Sequence, residues 1–214
     1  MKTSSLILVL AVLPCFSGEE STAESNTNPL YEEDPRNFPR QKAREAVNFT
    51  GRVYIKTINF NLTLNTTCLF SERQITYNET RYLFTLGSTA PNSTTRLATF
   101  NTTVDLSITG THNETNAFTY KFHPGAPPKL RKLMYMNENR TCLILVDDRN
   151  STGQETRCQL LQPSDYANGT IPQDCADVFN ENCPGSNLTV YESWCQGLPY
   201  PNVSASSSGQ EGCA

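Results

Sequence analysis

Eight short runs rich in β-branched and aromatic residues follow one another between Gly51 and Pro163. They read RVYIKTINFNLTL, TCLFSE, QITYNETRYLFTLG, TRLATFNTTVDLSI, NAFTYKFH, KLRKLMYMN, RTCLILVDD and TRCQLLQ. Turn-forming clusters such as GSTAPNS, GTHNET and HPGAPP separate many of them. Residues of the first kind suit a pleated, half-buried surface, and the Gly, Pro, Asn and Ser clusters punctuate it. About eight strands in series with short links leave little choice of fold. The chain is expected to be mainly β, an up-and-down eight-stranded antiparallel barrel or a sandwich. A barrel of that size has room inside for side chains or for one small ligand.

The first residues set the compartment. MKTSSLILVLAVLPCFSGEE carries one Lys, an apolar run, then small residues before an acidic stretch. That is the form of a secretory signal peptide, too short to span a membrane. Cleavage after Ser17 gives a signal peptide over 1–17, a flexible acidic segment over 18–37, a barrel domain over 38–197 and a flexible tail over 198–214. Phe38 to Val47 opens the domain with a short helical stretch. Twelve N-x-[ST] sequons agree with secretion: Asn48, Asn61, Asn65, Asn78, Asn92, Asn101, Asn113, Asn139, Asn150, Asn168, Asn187 and Asn202. Each occupied site must face water. No later segment is long and apolar enough to cross a bilayer, so a secreted, extracellular protein with no membrane partner is expected.

In an oxidising compartment, cysteines are disulfide candidates first. Without Cys15 the chain keeps Cys68, Cys142, Cys158, Cys175, Cys183, Cys195 and Cys213. No C-x-x-C pair announces a zinc site or a redox motif, so no metal is expected. An odd count leaves one thiol over, and Cys213 in the tail is the candidate. Pro172, Asp174 and Pro184-Gly185 delimit a helix on which Cys175, Phe179 and Cys183 share one face, turned toward the protein body. A net charge of −4 without a basic run argues against nucleic-acid partners. With only His112 and His123, and no G-x-S-x-G or phosphate-binding glycine loop, the chain is expected to be neither an enzyme nor a cofactor protein.

Several segments, in order, resemble a known family: NPLYEEDPRNFPRQKA, VYIKTINF, the strand at Cys68, TNAFTYKF, TCLILV and IPQDCADVFNENC. From about Asn28 to Cys195 the chain is similar to the tick salivary lipocalins, the histamine-binding protein family. The resemblance implies an eight-stranded lipocalin barrel with a short N-terminal helix and a disulfide-anchored C-terminal helix. It implies bonds Cys68–Cys195 and Cys142–Cys175, which leaves Cys158–Cys183 as a third pair. It also implies a protein that sequesters histamine or a related host amine, while some members take up lipid mediators or bind complement proteins. Here Leu143 stands where amine-binding members carry an acid, Gln159-Leu160-Leu161 replaces their Glu-Leu-Trp/Tyr triplet, and Arg44 lies near the place of a helix aromatic. These departures favour a hydrophobic or carboxylated lipid over an amine.

Strand parity gives a separate expectation for the lining. A glycan on Asn61 must point outward, so Tyr54, Lys56, Ile58 and Phe60 point inward if the strand is unbroken. Of these, Tyr54, Ile58 and Phe60 are the ligand candidates, and Lys56 would suit an anionic head group unless a bulge turns it out. Asn101 likewise places Thr103 and Asp105 outside and Val104, Leu106 and Ile108 inside. The expected partner of this monomer is a small host mediator, amine or lipid. The alternative is a scaffold whose loops bind a host protein such as a complement component or cytokine.

Overall fold

Among the described residues nine strands form one antiparallel sheet that closes on itself. They are β1 (Arg52–Ile58), β2 (Phe70–Thr76), β3 (Arg81–Thr89), β4 (Leu97–Ser107), β5 (Ala117–Tyr120), β6 (Lys129–Met136), β7 (Leu143–Asp147), β8 (Cys158–Pro163) and β9 (Leu188–Thr189). Strands β2 to β8 pair with their sequence neighbours, and β1 lies between β8 and β9. The barrel closes where Arg52, Val53 and Tyr54 pair with Glu72, Ser71 and Phe70. The computed structural model describes residues 29–62, 66–91, 93–151 and 153–201. The signal peptide expected over 1–17, residues 18–28, the sequons at Asn65, Asn92 and Asn202, and Cys213 with most of the tail lie outside them.

The loops after β1, β3, β5 and β7 form one rim. The turns after β2, β4 and β6 form the other, which the N-terminal segment covers. That segment runs through 3-10 helices at Tyr31–Glu33 and Pro35–Arg40 into α1 (Ala43–Ala46). Ala43 and Val47 are buried in the same apolar cluster as the barrel interior. Each turn of that rim is tied to the segment by an exposed ion pair: Arg44 with Glu79, Lys42 with Glu114, and Arg140 with Glu45. Such pairs contribute little individually. Buried Gln41, which donates to the Met134 carbonyl at 3.0 Å, adds a desolvated anchor.

The flexible segment expected up to residue 37 is ordered from Pro29 onward. Asp34 caps the second 3-10 helix by accepting from the Arg36 backbone N–H at 3.0 Å. Glu32 is 0% exposed and accepts two hydrogen bonds from Arg149, at 2.7 and 2.9 Å. A buried carboxylate needs such a partner, and only the fold supplies it. Likewise Leu198, expected in the flexible tail, is buried beside Cys195.

Two strand faces that would otherwise meet solvent are covered from outside. After the one-turn helix α2 (Ser164–Ala167), the helix α3 (Gln173–Asn182) lays Cys175 and Phe179 on Met134, Ile144, Val146 and Leu160 of β6, β7 and β8. On the other side Tyr191, Cys195 and Leu198 pack on Tyr54 and Phe70. Disulfides Cys142–Cys175 and Cys158–Cys183 hold the first cover, and Cys68–Cys195 holds the second. The sequence separations are 33, 25 and 127 residues. In the chain-entropy account these correspond to about 4, 3.5 and 5 kcal/mol removed from the unfolded state's advantage.

Candidate functional site

Inside the barrel is a cavity of about 940 Å³ that opens at the rim opposite the N-terminal segment. Alternation along the strands makes its walls. Val53 and Ile55 of β1, Phe84 and Leu86 of β3, Val104 of β4, Phe118 of β5, Leu143 and Leu145 of β7 and Leu161 of β8 all face it. Val47 and Phe49 form the floor.

Charge is confined mainly to the wall near the mouth. Arg131 of β6 lies directly opposite Asp147 of β7, and the Asp147 N–H bonds the Arg157 carbonyl at the approach to β8. Three cations therefore surround one carboxylate: Arg131 Nε at 2.9 Å, Arg157 Nε at 3.5 Å and Lys129 Nζ at 3.9 Å. Exposed Glu155 lies 3.6 Å from Arg157 Nη1, so the tier carries a net of one positive charge. Arg131 is 4% exposed and its Nε meets Asp147 at 2.9 Å. Its Nη1 has no hydrogen-bond partner among the described residues. Burial works against its charge, but Tyr120 and Asp147 outweigh this and raise its pKa further above the ordinary value. The guanidinium lies 4.8 Å from the Tyr120 ring and 4.9 Å from the Phe122 ring, and that of Arg157 lies 4.1 Å above Phe60. Aromatic faces hold the two forks in place without using their N–H groups. The remaining lining arginine, Arg73, turns to the opposite rim and donates to Asn48 Oδ1 at 3.0 Å.

Of the three residues expected to meet a ligand, the structure places Phe60 in the lining, under Arg157. Ile58 joins the interior cluster, opposite Gln159 of β8. Tyr54 is a correction: it points outward, its ring 5.1 Å from that of Tyr191, with its hydroxyl toward the Cys195 carbonyl. The reason is a bulge between Ile55 and Thr57, which shifts the register against β8. A one-residue slip exchanges faces, so parity counted back from Asn61 holds at Phe60 and Ile58 and inverts before the bulge. Lys56, at the bulge, is outside, donating to the Ala167 carbonyl with its ammonium over the Tyr191 ring. Burial holds its pKa below the usual lysine range. Around Asn101 the alternation holds for Val104 and Leu106 inside, and Asp105 pairs with Arg81 outside at 2.6 Å. Ile108, expected inside, is 54% exposed because β4 ends one residue earlier.

Sequence reasoning missed Arg131, Asp147, Arg157 and Asn59. The first three are far apart along the chain, and nothing in KLRKLMYMN marks which of its cations turns inward. Lys132, the neighbour of Arg131, faces out to Glu33 and Asp148 at 2.8 and 2.7 Å. Asn59 pins the mouth: its amide donates to the Thr156 and Pro184 carbonyls, both at 2.8 Å, and accepts from the Cys158 N–H at 2.7 Å. Of the two histidines, His112 stacks on Phe38 at 3.6 Å and His123 lines the mouth. The nine sequon asparagines among the described residues are all exposed.

The architecture has known counterparts. The model of the tick histamine binding protein family matches residues 31–197. The chain belongs to this family. Japanin from Rhipicephalus appendiculatus, solved bound to cholesterol, is 16% identical with a TM-score of 0.50, covering 69% of this chain and 96% of that one. Lobster apocrustacyanin A1 is 11% identical with a TM-score of 0.51, covering 73% and 84%. Insecticyanin from the tobacco hornworm Manduca sexta is 12% identical with a TM-score of 0.50, covering 70% and 80%. At such identities the likeness establishes the lipocalin fold. No curated protein sequence is significantly similar to the chain. Family and fold make it a ligand-binding lipocalin, and no helix of the described residues is long and apolar enough to cross a membrane.

Proposed function

We propose that this histamine-binding-family lipocalin is secreted and sequesters a small host mediator of the anionic-lipid class, blunting an inflammatory or haemostatic signal. The carboxylate would be held by Arg131 and Arg157, with the hydrocarbon chain extending toward Val47 and Phe49. The observation that carries this reading is the excess of cations at the mouth of a largely apolar cavity, where buried Arg131 keeps an Nη1 without a hydrogen-bond partner among the described residues. A carboxylate accepts from such a fork in bidentate geometry, and charge-assisted bonds of this kind are the strong ones. An amine finds the opposite. Asp147 is the only carboxylate on the lining among the described residues, and three cations already surround it. A fourth buried cation would enter a positive field without a free counter-ion. Three disulfides and the exposed sequons support secretion and glycosylation.

The test is competitive displacement of a fluorescent fatty acid by oleate, methyl oleate, histamine and serotonin, with the wild-type chain and Arg131→Met. Oleate is expected to bind about 10- to 100-fold more tightly than its ester, corresponding to the roughly 1.5–3 kcal/mol of a hydrogen bond to a charged group. Arg131→Met is expected to remove that difference. Tight histamine binding, or an Arg131→Met variant that still distinguishes acid from ester, would refute the reading.

A further inference from the structure

The N-terminal segment covers the rim opposite the mouth, yet its first 3-10 helix also reaches the mouth side of the barrel from outside. There fully buried Glu32 meets Arg149, 7% exposed, in the chain that follows β7. Glu32 accepts from Nε and Nη2 of the guanidinium, and Nη1 donates to the Thr156 hydroxyl. None of these three side chains lines the cavity. Arg149 lies two residues beyond Asp147, and Thr156 lies one residue before Arg157. One guanidinium therefore ties the chain leaving β7 to the chain entering β8, just beyond the bond from the Asp147 N–H to the Arg157 carbonyl at 3.0 Å. Stability alone does not account for the buried pair. Desolvation cancels much of its attraction, and well-packed apolar side chains in its place are often neutral or stabilising. What the pair adds is direction: a guanidinium engaged on both edges has one orientation, and an apolar side chain would leave Thr156 untied.

We infer that Glu32 is a positioning residue for ligand retention. Through Arg149 it fixes Thr156, and with it the backbone that presents Arg157 to a bound carboxylate. Lys132 reinforces the link, its ammonium 2.8 Å from Glu33 and 2.7 Å from Asp148. Asn59 holds the same stretch from the β1 side, through the Thr156 carbonyl and the Cys158 N–H. Loss of the tie therefore loosens Arg157 without unfolding the entry to β8. The effect falls on escape of the ligand, since affinity differences among related variants lie mostly in dissociation. The inference rests on the anionic-lipid reading above, because the head group at Arg157 is what the tie holds.

Stopped-flow release of a fluorescent fatty acid, and of its methyl ester, tests this on the full chain as wild type, Glu32→Gln, and Glu32→Leu combined with Arg149→Met. The double variant orphans no buried charge and is expected to melt close to wild type. It should nevertheless release the acid about tenfold faster, the equivalent of one hydrogen bond, because Thr156 is untied. Release of the ester, which has no charge to hold at Arg157, should stay near the wild-type rate. Glu32→Gln keeps the shape of the side chain and should speed acid release several-fold; it carries the test if the double variant fails to fold. A purely structural role would make release follow stability, so a double variant that melts and releases like wild type would overturn the inference. Equal acceleration of acid and ester would overturn it too, and both results would leave the anionic reading standing. A wild-type chain that releases acid and ester at the same rate would overturn the anionic reading itself.

Discussion

Replacing Asp147 by Asn separates an anion site from an amine site by the sign of the effect. Asp147 is the shared counter-ion of Arg131, Arg157 and Lys129. A ligand carboxylate on the free edge of Arg131 would lie roughly 6 Å from it, where two like charges repel by about 3 kcal/mol at an effective dielectric near 20. The Asp147 side chain is 18% exposed and that of Arg157 is 35% exposed, so solvent and salt reduce this to about 1–2 kcal/mol. Asp147→Asn should therefore tighten oleate binding about 5- to 30-fold. The unliganded protein should lose stability, because Arg131 and Lys129 lose their carboxylate partner and Arg157 keeps only exposed Glu155. A cost of about 2 kcal/mol would lower its melting temperature by roughly 6 °C. Displacement titrations at low and moderate salt, with a melt of each ligand-free protein, read both quantities. The gain in affinity should shrink as salt rises. Were Asp147 an amine anchor, the same substitution would abolish histamine binding and leave oleate unaffected. Weaker oleate binding in Asp147→Asn would refute the electrostatic argument.

Three further outcomes are expected. Phe60→Ala removes the ring under Arg157 and should weaken fatty-acid binding several-fold, while Asp105→Ala, outside the barrel, should leave it unchanged; equal effects in displacement titrations would contradict the assignment of faces. Glu32→Ala leaves Arg149 buried without its counter-ion and should cost about 3–5 kcal/mol, measured by urea denaturation. Loss of under 1 kcal/mol would show that the N-terminal segment is not held there. Replacing Cys68 and Cys195 together by Ser should cost the most stability of the three disulfide deletions, because that loop is the longest. A larger loss on removing Cys158–Cys183 would show that packing under α3, rather than loop closure, sets the order.

The strand series, the disulfide-bearing helix and the exposed sequons were legible in the chain because each rests on local chemistry. β-branched runs and turn clusters mark strands residue by residue, and Cys175, Phe179 and Cys183 share a helical face whatever lies beneath it. The departures from the amine-binding pattern at Leu143 and Gln159 were also visible. The charged tier was not. Arg131, Asp147 and Arg157 meet only because β6, β7 and the approach to β8 pair in one register, and a linear pattern does not say which of Arg131 and Lys132 turns inward. The bulge after Ile55 was equally invisible. It changes no residue type, yet it moves Tyr54 and Lys56 to the outer face. That face is itself apolar, covered by Tyr191 and Cys195, so burial preference could not have betrayed the slip. The sequence alone thus determined a mainly β chain with a helix tied to it by cysteines. The tertiary structure decided which charged side chains line the cavity, because closure of the barrel chooses which side chains lose water together.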